Sequence, residues 1–288
     1  MCEAQQTAKI KICGLFREAD VEFANEAGPD FIGFVFAESR RRVSPAAAAR
    51  LRSRLREGIV PVGVFVNAPP EEIAALYRDG LIAAAQLHGG EDAAYIRRLK
   101  TLSAAAGPPV PVIKTLRISA GEEGRKNGNH NEPLVREHRE KVKLTHMVPG
   151  TFFGAGDASL AAEIDYLLFD SGSGGGKPFD WNLLPSLLAS HASLFADWGD
   201  GGKPAKRGWS QGGDRTKAAA GKKGVESGPP SWLSLPWFLA GGVCLENIGR
   251  ALAYRPFGID VSSGAETGGL KDREKMIALV ARAREEQV

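Results

Sequence analysis

Eight short apolar runs recur along this chain, and most are apolar at nearly every position rather than at alternate ones. They cover residues 10–13, 31–36, 61–66, 84–87, 110–116, 166–170, 237–240 and 258–261. A strand with one wet face alternates apolar and polar residues, whereas a strand buried on both faces does not. The runs therefore predict a parallel sheet covered by helices.

Helical segments lie between the runs. The clearest spans 45–57: Ser44 suits the N-cap, Pro45 suits the first turn, and Gly58 suits a left-handed stop. Others span 70–79, with Gly80 as the stop, 245–253 and 272–286. Strand and helix alternate eight times, which points to a single-domain (β/α)8 barrel over 8–288. An open doubly wound sheet needs fewer strands. Two polar stretches do not fit a compact barrel, 119–158 and 197–231, and are expected to be flexible insertions. The second carries Lys203, Lys206, Arg207, Arg215, Lys217, Lys222 and Lys223, a basic but solvated loop.

Composition narrows the function. With 288 residues and 43% hydrophobic content, a full core can be buried. A net charge of +3 is too small for a typical nucleic-acid binder and suits an anionic metabolite. Three cysteines, Cys2, Cys13 and Cys244, make no disulfide framework and fit a reducing, cytoplasmic setting. Residues 1–7 lack the apolar core of a secretory signal. The longest apolar run, near 232–243, is short and broken by Pro236, so no membrane span is expected.

Several runs end in a polar residue beside glycine: Cys13-Gly14, His88-Gly89, Asp170-Ser171, Ala240-Gly241-Gly242 and Ser262-Ser263-Gly264. In a barrel of this kind the C-terminal strand ends form the active site. Alternation puts Lys11 and Cys13 on one face and Ile10 and Ile12 on the other. With the isoleucines against the helices, the thiol turns into the mouth, where Lys11 can lower its pKa. Asp170 suits a general acid if its pKa is raised, and also suits an ordinary turn. Gly241, Gly242, Ser263 and Gly264 follow the seventh and eighth runs, where such barrels often bind phosphate. Arg40, Arg41 and Arg42 follow the second run; an arginine there can clamp a carboxylate, and a solvated charged face is the plainer reading. His88 reads as structural. His130, His138 and His146 lack the partners of a metal site, and no metal or cofactor is expected.

Seven ordered motifs resemble the phosphoribosylanthranilate isomerase family of tryptophan biosynthesis. They are KICGL (11–15), DFIGFVFAESRRRVSP (30–45), VGVFVN (62–67), QLHG (86–89), LLFDSGSGGGKPFDW (167–181), LAGGVCLENI (239–248) and DVSSGAETGGLKD (260–272). The resemblance implies an Amadori rearrangement of N-(5-phosphoribosyl)anthranilate, without redox or metal cofactor, by a monomer or homodimer. It implies Cys13 as general base and Asp170 as general acid. Arg41, with a one-residue ambiguity toward Arg40, is implied for the anthranilate carboxylate and Asp260 for the substrate amine. Gly241, Gly242, Ser263 and Gly264 are implied for the phosphate. Phe179 and Trp181 read as packing residues. Both insertions are expected on the face opposite the chemistry. Two other readings stay open: a Schiff-base aldolase on Lys114, and a phosphate-metabolite sensor that recruits a partner through the basic loop.

Overall fold

A computed structural model describes residues 7–120, 142–145, 158–170, 181, 184 and 235–285. Strands β1 (Lys9–Cys13), β2 (Phe31–Val35), β3 (Val60–Phe65), β4 (Ala84–Leu87), β5 (Val112–Ala120), β7 (Tyr166–Asp170), β8 (Trp237–Leu239) and β9 (Gly258–Val261) pair side by side, all parallel. β1 bonds to β9, and β4 bonds to β5 as well as β3, so the sheet closes on itself. Helices α1 (Glu18–Ala27), α2 (Pro45–Arg54), α3 (Pro70–Arg78), α4 (Ala93–Ser103), α5 (Ala158–Ala161), α6 (Ile248–Leu252) and α7 (Arg273–Glu285) lie between the strands. This is the expected (β/α)8 barrel.

Local signals act largely as the chemistry requires. Ser44 Oγ accepts from Ala47 N at 3.2 Å, and Pro45 opens α2. Gly80, at φ 72°, turns the chain just beyond α3. Gly58 is also left-handed, at φ 86°, but α2 ends earlier, at Arg54, and the glycine shapes the turn into β3.

The two faces of each strand do different work. Ile10, Ile12, Ile32, Leu167, Phe169, Ile259 and Val261 belong to the large outer core shared with the helices. Phe31, Val62, Ala84, Ile113, Leu168 and Phe238 point inward and form a second, smaller apolar cluster. Its lower end is aromatic: Phe31 meets Phe238 edge-on at 5.6 Å, and Tyr166 lies 5.2 Å from Phe257. Gly258 makes room for this plug, because a methyl group there would stand 2.6 Å from the Phe238 ring. Apolar rings thus fill the barrel floor, and polar side chains are left for the upper layers.

One expectation is corrected. β5 runs on to Ala120, and its last residues pair antiparallel with β6 (Val142–Thr145), Arg117 opposite Thr145. The first insertion therefore leaves from the C-terminal end of β5, the mouth side, and not from the opposite face. Its other residues between 121 and 157 lie outside the described residues, as do 171–180 and the whole of 197–231. Among the described residues, no helix is long and apolar enough to cross a membrane.

Candidate active site

Above the aromatic floor sits a buried ion pair. Lys11 Nζ, fully buried, donates to Asp260 Oδ1 at 3.0 Å; β1 and β9 are neighbours, with Lys11 opposite Asp260. Gln86, also buried, donates from Nε2 to Thr115 Oγ1 at 3.5 Å and lies 2.7 Å from His88 Nε2.

Cys13 is the next inward residue on β1, two positions above Lys11. It is buried beside Gly33 of β2, where an added methyl group would stand 2.6 Å from Cys13 Sγ. The Lys11 ammonium also interacts electrostatically with the sulfur. Burial pulls the Lys11 ammonium down, but Asp260 and Cys13 outweigh that and hold it above its ordinary value. Burial pushes the Cys13 thiol up, and the nearby Lys11 charge only partly offsets it. This corrects the sequence-based expectation: Lys11 does act in the lowering direction, yet desolvation of the thiolate wins.

Asp170 ends β7 on the same face as inward-pointing Leu168. Its neighbour across the ladder is Arg117 of β5. Arg117, Lys11 and Lys114 add to burial in pushing the His88 imidazole down to about 3, burial being the largest cause. At neutral pH His88 is therefore uncharged.

Arg41 lies over the turn that follows Cys13, for a methyl group on Gly14 would stand 2.4 Å from Arg41 Cδ. Its Nε and Nη2 donate to Glu266 Oε1 and Oε2 at 2.7 and 2.9 Å. Arg40 Nη2 reaches the same carboxylate at 2.5 Å, and Lys271 Nζ at 2.8 Å. Burial pushes Glu266 up, but bonds from Arg41 and Lys271 outweigh it and bring its carboxyl down to about 2. Glu266 and Lys271 face each other across a tight hairpin, β10 (Glu266–Thr267) and β11 (Leu270–Lys271). Gly268 and Gly269, at φ 59° and 82°, supply the two left-handed residues such a turn needs. The stretch ETGGLK carried that hairpin signal, but nothing in it said which residues the pair would hold.

The loops after β8 and β9 meet, Gly264 lying against Val243 and Cys244. Gly241 and Gly242 are left-handed, at φ 86° and 73°. Ser263, Gly264 and Ala265 form a short 3-10 turn, and a methyl group on Gly264 would stand 2.0 Å from Val243 O. Asn247 braces the first of these loops, donating to Gly242 O at 2.9 Å and accepting from Cys244 N at 2.8 Å. The expected helix is short here, only Ile248–Leu252.

Lys114 is elsewhere. Ile113 points into the barrel, so Lys114 points out, where its Nζ bonds Glu91 Oε2 and Gly89 O, each at 2.7 Å. It is fully buried there, and a substrate carbonyl in the mouth would not meet it. Trp181 is buried, as a packing residue should be. Among the described residues no cluster of histidine, cysteine or carboxylate side chains could hold a metal ion.

These features define a (β/α)8-barrel enzyme with its ionisable groups gathered at the C-terminal mouth. The family to which the chain belongs is that of N-(5'-phosphoribosyl)anthranilate (PRA) isomerase, whose sequence model matches residues 10–126 and 219–282. The N-(5'-phosphoribosyl)anthranilate isomerase of Endomicrobium trichonymphae is 34% identical over 278 residues, covering 94% of this chain and 96% of that protein. The crystal structure of the isomerase from Thermus thermophilus superposes with a TM-score of 0.58 at 26% identity, covering 95% and 97% of the two chains. A second isomerase structure, with reduced 1-(o-carboxyphenylamino)-1-deoxyribulose 5-phosphate bound, shares the fold at TM-score 0.57 and 23% identity, covering 96% and 99%.

Proposed function

We propose that this chain isomerises N-(5-phosphoribosyl)anthranilate to 1-(2-carboxyphenylamino)-1-deoxyribulose 5-phosphate in L-tryptophan biosynthesis, with Cys13 as base and Asp170 as acid. The observation that carries the assignment is that β1 and β7 end in a thiol and a carboxyl group on the inward face of one mouth. Asp170 protonates the ribose ring oxygen, and the ring opens to a Schiff base. Cys13 then removes the C2 proton, and the resulting enolamine tautomerises to the ketone. A thiol with a raised pKa is seldom ionised, but its thiolate is the stronger base once formed. Lys11 supplies the cation that stabilises that thiolate beside it.

The binding roles follow the walls of the mouth. Arg41 takes the anthranilate carboxylate, and Asp260, below Cys13, faces the amine nitrogen. Gly241, Gly242, Ser263 and Gly264 take the phosphate, where left-handed glycines and close loop packing let backbone amides approach it. The reading implies a cytoplasmic enzyme, as a monomer or homodimer.

The test is steady-state turnover of phosphoribosylanthranilate. Cys13→Ala and Asp170→Asn should each lower kcat by about 10²-fold or more, and Arg41→Ala should chiefly raise KM. Wild-type turnover by Cys13→Ala would overturn the assignment of the base.

A further inference from the structure

Glu266 is a buried carboxylate at the barrel rim with no part in the proton transfers above. It bonds three cations, Arg40, Arg41 and Lys271, and the group remains net positive. Glu266 and Lys271 are buried while Arg40 is exposed, so the positive charge of the cluster opens toward solvent, where one more anion can meet it. Its arrangement is directional. Glu266 occupies the Nε–Nη2 edge of Arg41, leaving Nη1 and the second Nη2 hydrogen. The shaft of the same side chain crosses Gly14, beside the reactive thiol. Lys271 Nζ also donates to Ser262 O at 2.9 Å, and Ser262 Oγ donates to Cys13 O at 3.3 Å. The hairpin that carries Glu266 is thus tied to the end of β1.

We infer that Glu266 is the positioning residue for Arg41: it takes one edge of the guanidinium so that the opposite edge meets the aromatic carboxylate of the substrate. Arg40 and Lys271 hold the Glu266 charge so that it does not repel that carboxylate. The inference rests on Arg41 being the carboxylate-binding group.

The experiment compares phosphoribosylanthranilate with N-(5-phosphoribosyl)aniline, which lacks the carboxylate. The variants are Glu266→Gln, Glu266→Asp and Arg41→Ala. Glu266→Gln should raise KM for the carboxylated substrate about tenfold, which is ~1.4 kcal/mol, with kcat within about threefold and KM for the aniline unmoved. Glu266→Asp keeps the charge on a shorter arm and should show a smaller loss of the same preference; it decides the matter if Glu266→Gln does not fold. A fall in kcat alone, or an equal rise in KM for both compounds, would overturn the inference. If Arg41→Ala keeps the preference, the assignment of Arg41 fails and this inference with it. If Arg41→Ala erases the preference and both Glu266 variants keep it, only the positioning role fails.

Discussion

Gly33→Ala tests whether the barrel wall places the sulfur proposed as the base. The new methyl group would stand 2.6 Å from Cys13 Sγ and 3.1 Å from Cys13 Cα. Ordinary contact between such atoms begins near ~3.5 Å, so the sulfur must shift by about 1 Å. The backbone cannot follow freely, because Gly33 sits opposite Cys13 in the β1–β2 ladder. Its carbonyl also accepts from Gly14 N at 2.9 Å and Leu15 N at 3.0 Å. Overpacking of this kind costs about 1–3 kcal/mol. In a domain of this size each kcal/mol lowers Tm by roughly 2–4 °C. A displacement of about 1 Å in a reacting group lowers turnover on the order of 100-fold. Calorimetry and steady-state kinetics should therefore show a Tm several degrees lower and a much reduced kcat, with KM little changed. The control is Gly58→Ala, where φ is 86° and no atom lies within 4 Å of the new methyl group. It should cost about 1 kcal/mol through backbone strain and leave kcat alone. Wild-type kcat and Tm in Gly33→Ala would refute the placement of the thiol against β2.

Glu91→Gln should destabilise the fold by about 3–5 kcal/mol, because it leaves Lys114 buried without its counter-ion; replacing both partners with apolar residues should recover much of the loss in a denaturant titration. Glu266, lowered from 4.5 to about 2, contributes stability that is fully present above pH 4.5 and fades as pH falls toward 2. An unaltered acid limb in the melting profile of Glu266→Gln would contradict this. His88 is lowered from 6.5 to about 3, so the unfolded chain binds the proton first and stability drops as pH falls from 6.5 to 3. His88→Gln should flatten that part of the curve. Lys11→Met removes the cation beside Cys13 and should move the alkaline-rising limb of the kcat–pH profile to higher pH; a limb at its wild-type position would exclude Lys11 from tuning the thiol.

The strands were legible because parallel strands buried on both faces must be apolar along most of their length. The 84–87, 166–170 and 258–261 runs match β4, β7 and β9 end for end, and the others differ by a few residues at their ends. The inward aim of Cys13 was legible too, since period-two alternation fixes it once Ile10 and Ile12 face the helices. Alternation also held the answer for Lys114, which shares the outward face of β5 with Leu116, whereas its proximity to a strand end suggested a role in the mouth.

Other features depended on atoms far apart in the chain. Arg41 and Glu266 are separated by 225 residues, and Lys11 and Asp260 by 249. Neither pair leaves a local pattern, because each exists only when the barrel closes β1 against β9. The net upward shift of Cys13 has the same origin: a sequence shows the lysine two residues away, but the desolvation that outweighs it comes from neighbouring strands. The extension of β5 to Ala120 likewise depends on β6, whose backbone satisfies the polar groups of a stretch that reads as loop. Local patterning thus determined the strands, their inward faces and the chemical groups at their ends. Tertiary closure decided which charges meet there and which oxygen atoms hold Arg41, since those energies arise between segments that only the finished barrel brings together.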